Sequence, residues 1–203
     1  MKNLKYKTIL LILITLFTPI VNAETRLLII GDSLTEGYGV AKKDSYPSLL
    51  ETELKKKRSD IRVINAGSSG STSAGAFSRL RWHLKSKPKI LILALGANDG
   101  LRGISPTSTK ENLQKAITLA KKNKIIIYLA GMKMPYNYGK DYQKRFENIF
   151  SELISFNKIK SIPFLLKDVG GRKHLNLADG IHPNEKGHSI IAKNVASIIE
   201  KDL

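Results

Sequence analysis

Five short, largely apolar segments, residues 27–30, 61–64, 90–95, 125–129 and 162–165, constrain this chain most, because each is followed by a stretch of helical length. Continuous rather than alternating apolarity is what a parallel strand buried on both faces presents. The intervening stretches fall near residues 46–58, 72–85, 108–123, 140–157 and 185–201. In the fourth, Tyr142, Phe146, Ile149, Phe150, Leu153 and Ile154 share one helical face. The third opens with Ser108-Thr109-Lys110-Glu111, the spacing of a capping box. Five βα units predict an α/β fold, a three-layer α/β/α sandwich on a central five-stranded parallel sheet with right-handed crossovers. The 203 residues, 42% hydrophobic, suit one such domain, and no repeat, linker or composition break suggests a second. Strand order is not readable from the sequence. In a flavodoxin-like 2-1-3-4-5 order, the switch point would set the turn after the first strand beside the turn after the third.

The first 23 residues read differently. Lys2, Lys5 and Lys7 precede an apolar run from residue 9 to residue 17, and Val21-Asn22-Ala23 supplies small or apolar residues at a cleavage position. This is the pattern of a signal peptide ending at Ala23, with an uncleaved anchor as the competing reading. Residues 24–203 then form the domain, exported to a periplasm or beyond. The absence of cysteine excludes disulfides, a thiolate nucleophile and a lipobox anchor.

The formal charge is +17, of which the leader's lysines supply three. Such a charge raises nucleic-acid binding. Against it, the chain has 26 Lys and only 8 Arg, spread along its length, and arginine is the preferred fork for phosphates and base edges. The dense run Lys55-Lys56-Lys57-Arg58 falls at a helix C-terminus, where cations suit the dipole. No nucleic-acid partner is expected, whereas contact with an anionic membrane remains compatible with the charge.

Chemistry gathers at the ends of the strands. Ser33 follows the first apolar run within Gly31-Asp32-Ser33-Leu34, where an α/β fold can present a hydroxyl. A serine hydroxyl is a weak nucleophile until a base takes its proton. Of the four histidines, His83 reads as a surface residue, His174 has nothing to orient it, and His188 lies inside the last helix. His182, in Asp179-Gly180-Ile181-His182-Pro183, has a carboxylate three residues upstream that can hold one ring nitrogen while the other faces a nucleophile. Asn98, in Gly96-Ala97-Asn98-Asp99, offers a side-chain amide, and Gly70 an unobstructed backbone N–H, for an oxyanion. Taken singly, each has an ordinary reading as a turn or cap residue. No group of residues has zinc-ligand spacing and neither common nucleotide-binding glycine loop occurs, so neither metal nor cofactor is expected.

Those four blocks, Gly31-Asp32-Ser33-Leu34, Gly70, Gly96-Ala97-Asn98-Asp99 and Asp179-Gly180-Ile181-His182-Pro183, resemble the SGNH (GDSL-type) hydrolase family. Asn98-Asp99-Gly100-Leu101-Arg102-Gly103 and Pro135-Tyr136-Asn137-Tyr138-Gly139 are similar to loops of its periplasmic thioesterase, lysophospholipase and arylesterase branch. The resemblance implies Ser33 as nucleophile, His182 as base and Asp179 as its partner, with Ser33, Gly70 and Asn98 forming the oxyanion hole. It implies a monomer acting on a small acyl ester, thioester or lysophospholipid. One departure stands out: the second block usually continues Gly-Asp-Thr, whereas here it reads Gly70-Ser71-Thr72. Leu101, Ile104, Met132, Met134, Tyr136 and Tyr138 are candidates for an acyl groove, methionine giving an adaptable wall. The same blocks also serve sugar O-acetyl esterases, and a flavodoxin-like binding module without catalysis is the reading from another class.

Overall fold

The computed structural model describes residues 24–134 and 138–203; the segment expected to be a leader, residues 1–23, and Tyr136 lie outside them. The expected sheet forms. Its strands are β1 (Thr25–Gly31), β2 (Ile61–Gly67), β3 (Ile90–Ala94), β4 (Ile126–Ala130) and β5 (Lys160–Ile162), all parallel in the order β2-β1-β3-β4-β5. The helices are α1 (Ser33–Glu36), α2 (Tyr46–Lys55), α3 (Ala76–His83), α4 (Ala97–Leu101), α5 (Pro106–Lys122), α6 (Lys140–Asn157) and α7 (Glu185–Ile199). α2 packs against α7, and α5 packs against both α3 and α6. Helices on both faces explain why Leu27, Leu28, Ile29 and Ile30 of β1 are fully buried, as are Leu91, Ile92 and Leu93 of β3. The α6 stripe behaves as its spacing predicts: Phe146, Ile149, Phe150 and Leu153 are buried, and the Phe146 and Phe150 rings meet edge to face at 5.6 Å.

Three boundaries depart from the sequence pattern. The last strand ends at Ile162 instead of spanning residues 162–165, because Pro163 has no N–H to continue a ladder. The carbonyl of Ile162 is taken by Gly131 N–H at 2.9 Å, and the chain turns away. α5 starts at Pro106 rather than at the Ser108 capping box. Proline is pre-organised for the first helical position, and Thr109 is drawn inward to Asp99. The stretch expected as one helix over residues 72–85 is α3 with a 3₁₀ turn at each end.

The order fixes where chemistry can gather. β1 pairs with β2 on one side and β3 on the other, so Gly31 is in register with both Gly67 and Ala94. The turns after all three strands therefore emerge together at the switch point of the sheet. Gly67 makes this closeness possible: a Cβ there would lie 2.1 Å from the backbone N of Glu36 in α1. Because β3 is buried throughout, Leu93→Ala is expected to destabilise the fold by about 3 kcal/mol, read as a lower urea midpoint at unchanged slope.

Candidate active site

Asp32 sets the geometry of the first turn. It is the N-cap of α1, its Oδ1 accepting from the Leu34 N–H at 3.0 Å, and this leaves Ser33 as the first helical residue with its backbone N–H free of intrahelical bonding. Asp32 is itself buried, and its Oδ2 has no hydrogen-bond partner among the described residues. Burial pushes its carboxyl up to about 6, opposed by the Leu34 N–H and, more weakly, by the nearby His182 and Arg79 side chains. Arg79, from α3, donates to the carbonyls of Gly31, at 2.9 Å, and of Ala66, joining the ends of β1 and β2 behind the turn.

The opposite wall comes from the segment before α7. Leu177 N–H donates to the His182 carbonyl at 2.7 Å, and Asn176 bridges Pro183, closing a loop around Asp179. Asp179 Oδ1 accepts from the Ile181 and His182 N–H groups at 2.9 and 3.0 Å, while Oδ2 lies 2.8 Å from His182 Nδ1. His182 Nε2 lies 2.9 Å from Ser33 Oγ. The His182 backbone N–H, its imidazole and the Ile181 N–H, in that order, hold the Asp179 carboxyl down to about 2, which favours the ionised form near neutral pH. The Tyr38 ring lies against the imidazole, 4.6 Å between centroids. Such a row can take the proton from Ser33 and stabilise the imidazolium that forms.

The other histidines are placed apart from this row. His174 is exposed and His83 half-buried in α3. His188 is buried in α7, where its Nδ1 faces the Tyr46 N–H at 3.2 Å, and burial holds it down to about 4.

α4 grips the loop that carries Gly70. Asn98 Nδ2 donates to the Ser71 carbonyl at 3.0 Å, leaving its second N–H for another acceptor. Arg102, one turn on, donates to the Gly70 carbonyl at 3.1 Å. The buried carboxylate of Asp99 accepts from Ser73 N–H at 2.8 Å, Ser73 Oγ at 2.5 Å and Thr109 Oγ1 at 3.3 Å. Gly70 itself has φ +74°, which favours glycine at this position. From the α1 side, Glu36 accepts from the backbone N–H of Ser69 at 2.7 Å and from its hydroxyl. Ser71 thus contributes its carbonyl to Asn98, and the carboxylate bound to the loop backbone comes from Glu36.

A cavity of about 530 Å³ opens beside Ser33, Asn98 and His182. Its apolar lining includes Leu101, Met132, Met134, Phe164, Leu166 and Ile181, with Lys133, Gln143 and Glu147 among its polar residues. Three of the residues expected to line a groove are there. Ile104 and Tyr138 are not: the Tyr138 hydroxyl donates to the Leu101 carbonyl at 3.0 Å, and the Ile104 carbonyl accepts from Tyr142, so both brace α4 from outside. Phe164 escapes the sequence pattern because it falls within the run 162–165 that reads as strand, and Leu166 lies one residue beyond that run. Ile181 carries a signal, an apolar residue half exposed within the histidine block.

Residues 29–190 match the GDSL-like lipase/acylhydrolase family, and the chain belongs to it. An arylesterase of Vibrio mimicus is 36% identical over 182 residues, 89% of this chain and 91% of that protein. The protein named thioesterase 1/protease 1/lysophospholipase L1 of Escherichia coli K12 is 34% identical over 179 residues, 88% of this chain and 85% of that one. Among solved structures, the psychrotrophic esterase EstA of Pseudoalteromonas, inhibited by monoethylphosphonate, superposes with a TM-score of 0.83 at 32% identity, over 88% of this chain and 98% of that chain.

The buried Asp32 carboxylate has a measurable consequence. The folded state keeps its proton to about pH 6, whereas the unfolded chain releases it near 3.8. Its contribution to stability is therefore present at low pH and lost as pH rises from about 4 through about 6. Asp32→Asn keeps a cap acceptor and removes the charge. It is expected to raise stability by about 2 kcal/mol at pH 8 and by little at pH 4, read from urea unfolding at both.

Proposed function

We propose that this protein is a serine esterase hydrolysing acyl esters and thioesters, including those of lysophospholipids, through a Ser33–His182–Asp179 triad. The observation that carries the reading is the unbroken hydrogen-bonded row from Asp179 through His182 to the Ser33 hydroxyl. In the first half-reaction Ser33 Oγ attacks the substrate carbonyl carbon as its proton passes to His182 Nε2. The Ser33 and Gly70 backbone N–H groups and the free Asn98 amide N–H bind the oxyanion, each worth about 10²–10³ in rate. His182 then returns the proton to the departing alcohol or thiol, leaving an acyl-enzyme on Ser33. In the second half His182 takes a proton from water, the resulting hydroxyl adds to the acyl carbon, and the acid leaves as Ser33 recovers its proton. Asp179 orients the ring and compensates the imidazolium. The cycle uses no cofactor.

An apolar cavity of about 530 Å³ has room for an acyl chain of several carbons, and the names of the relatives are those of ester and thioester hydrolases. The reading carries with it a leader removed after Ala23, a periplasmic location and action as a monomer at or near an anionic membrane. Support for export is the lysine-flanked apolar run of the first 23 residues.

The test is hydrolysis of p-nitrophenyl esters of increasing chain length by the protein and by Ser33→Ala. Turnover that rises with chain length and falls at least about 10³-fold in the variant is expected. Turnover on acetate alone would redirect the reading to a sugar O-acetyl esterase, and equal turnover in both proteins would remove Ser33 from the mechanism. Met134 is buried against the cavity. Met134→Asp is expected to lower kcat/KM for long-chain esters at least ten-fold more than for acetate, since it places a charge where the chain lies; equal losses would detach this wall from chain recognition.

A further inference from the structure

Between Asp60 and Asp99 the chain carries no acidic residue, although it has 17 elsewhere. The same interval holds Arg62, Arg79, Arg81, Lys85, Lys87 and Lys89. Arg79 is turned inward onto the strand ends; the other five are exposed, and none pairs with a carboxylate among the described residues. Four of these five belong to α3 or the segment just after it.

The outward face of α3 is also aromatic. Trp82, the chain's single tryptophan, is 64% exposed, and Lys85 Nζ sits 3.4 Å from the centroid of its ring. Phe77 is 38% exposed, with the Arg81 guanidinium carbon 5.9 Å from its ring. Ala76 and Leu80, on the other face, are fully buried, so the fold has no need of Trp82 or Phe77 for its core. His83 registers the local charge: burial first, then the Arg79 and Lys85 cations, hold its imidazole below the usual range.

A large aromatic ring left in water beside an unpaired ammonium is the pattern of an interfacial anchor. At a membrane surface the indole sits at headgroup level while the cation reaches the phosphates. A nucleic-acid surface needs aromatic faces free for stacking on bases, and Lys85 already covers one face of Trp82. We propose that the exposed face of α3 is a docking surface for anionic phospholipid membrane, with Trp82 and Phe77 entering the headgroup layer and Arg81, Lys85, Lys87 and Lys89 facing lipid phosphates. α3 starts three residues after Ser73 and is about 12 Å long, so docking holds the Gly70 loop close to the lipid. That advantage for catalysis rests on the acyl-ester reading above; the docking itself does not.

Because Trp82 is the sole tryptophan, its emission reports the contact directly. Vesicles of equal phosphatidylglycerol and phosphatidylcholine, added to the whole protein, are expected to shift that emission to the blue. Pure phosphatidylcholine vesicles and about 0.5 M salt are expected to suppress the shift. Arg81→Gln and Lys85→Gln should each weaken partitioning about five-fold, and Trp82→Ser should weaken co-sedimentation with the same vesicles. All three variants should hydrolyse soluble p-nitrophenyl acetate as the parent does. Failure to sediment with anionic vesicles overturns the proposal. So does sedimentation with unshifted Trp82 emission, which places the contact on another face, or a response to duplex DNA stronger than to vesicles. Vesicle binding by a protein inert toward every ester would leave the docking surface standing and remove the hydrolase reading instead.

Discussion

Parallel pairing of β1 with neighbours on both sides is the constraint from which the site follows. β1 is buried continuously from Leu27 to Gly31, and its last residue arrives at a fixed point between two other strand ends. Whatever follows β1 must turn at once. Asp32 achieves this by capping a helix only four residues long. The hydroxyl of Ser33 is thereby presented at the carboxyl edge with little freedom of its own, which is what an aligned nucleophile requires.

The remaining members of the site come from distant parts of the chain, and polar contacts hold them in register. Ser33 and His182 are separated by 149 positions and meet at 2.9 Å. The Gly70 loop has few backbone bonds of its own and is held from two sides, by Glu36 of α1 and by Asn98, Asp99 and Arg102 of α4. The turn after β1, the Gly70 loop and α4 are thus joined by side chains as well as by the sheet. Asp99, which is not part of the lining of the cavity beside Ser33, acts as a positioning residue: its buried carboxylate anchors Ser73 and Thr109 at once.

Much of this was legible before any coordinates. The apolar runs announced the strands because parallel strands buried on both faces must be apolar throughout. Ser33, Asn98, Asp179 and His182 stood out because each followed such a run or preceded the last helix. Less was legible where partners are remote. That Glu36 would bind the Ser69 backbone depends on the approach of α1 to β2, which only the packed sheet reveals. Phe164 read as strand, since apolarity alone cannot distinguish a buried ladder from the wall of a cleft. Tyr138, an aromatic in a loop beside the site, reads as lining, yet its hydroxyl donates to a carbonyl of α4 and its ring packs against the core.

The way the Gly70 loop is held separates the thermal fate of the site from that of the domain. The carboxylate of Asp99 is buried, but Glu36 and Arg102 are exposed side chains whose bonds to the loop compete with water. Segments tied down in this manner open at much lower free energy than the core strands beneath them. Warming should therefore loosen the Gly70 loop while β1 and β3 remain paired. Reversible inactivation, recovered on cooling, then comes before any loss of secondary structure, and the temperature range of the enzyme is set by a few surface bonds rather than by its core.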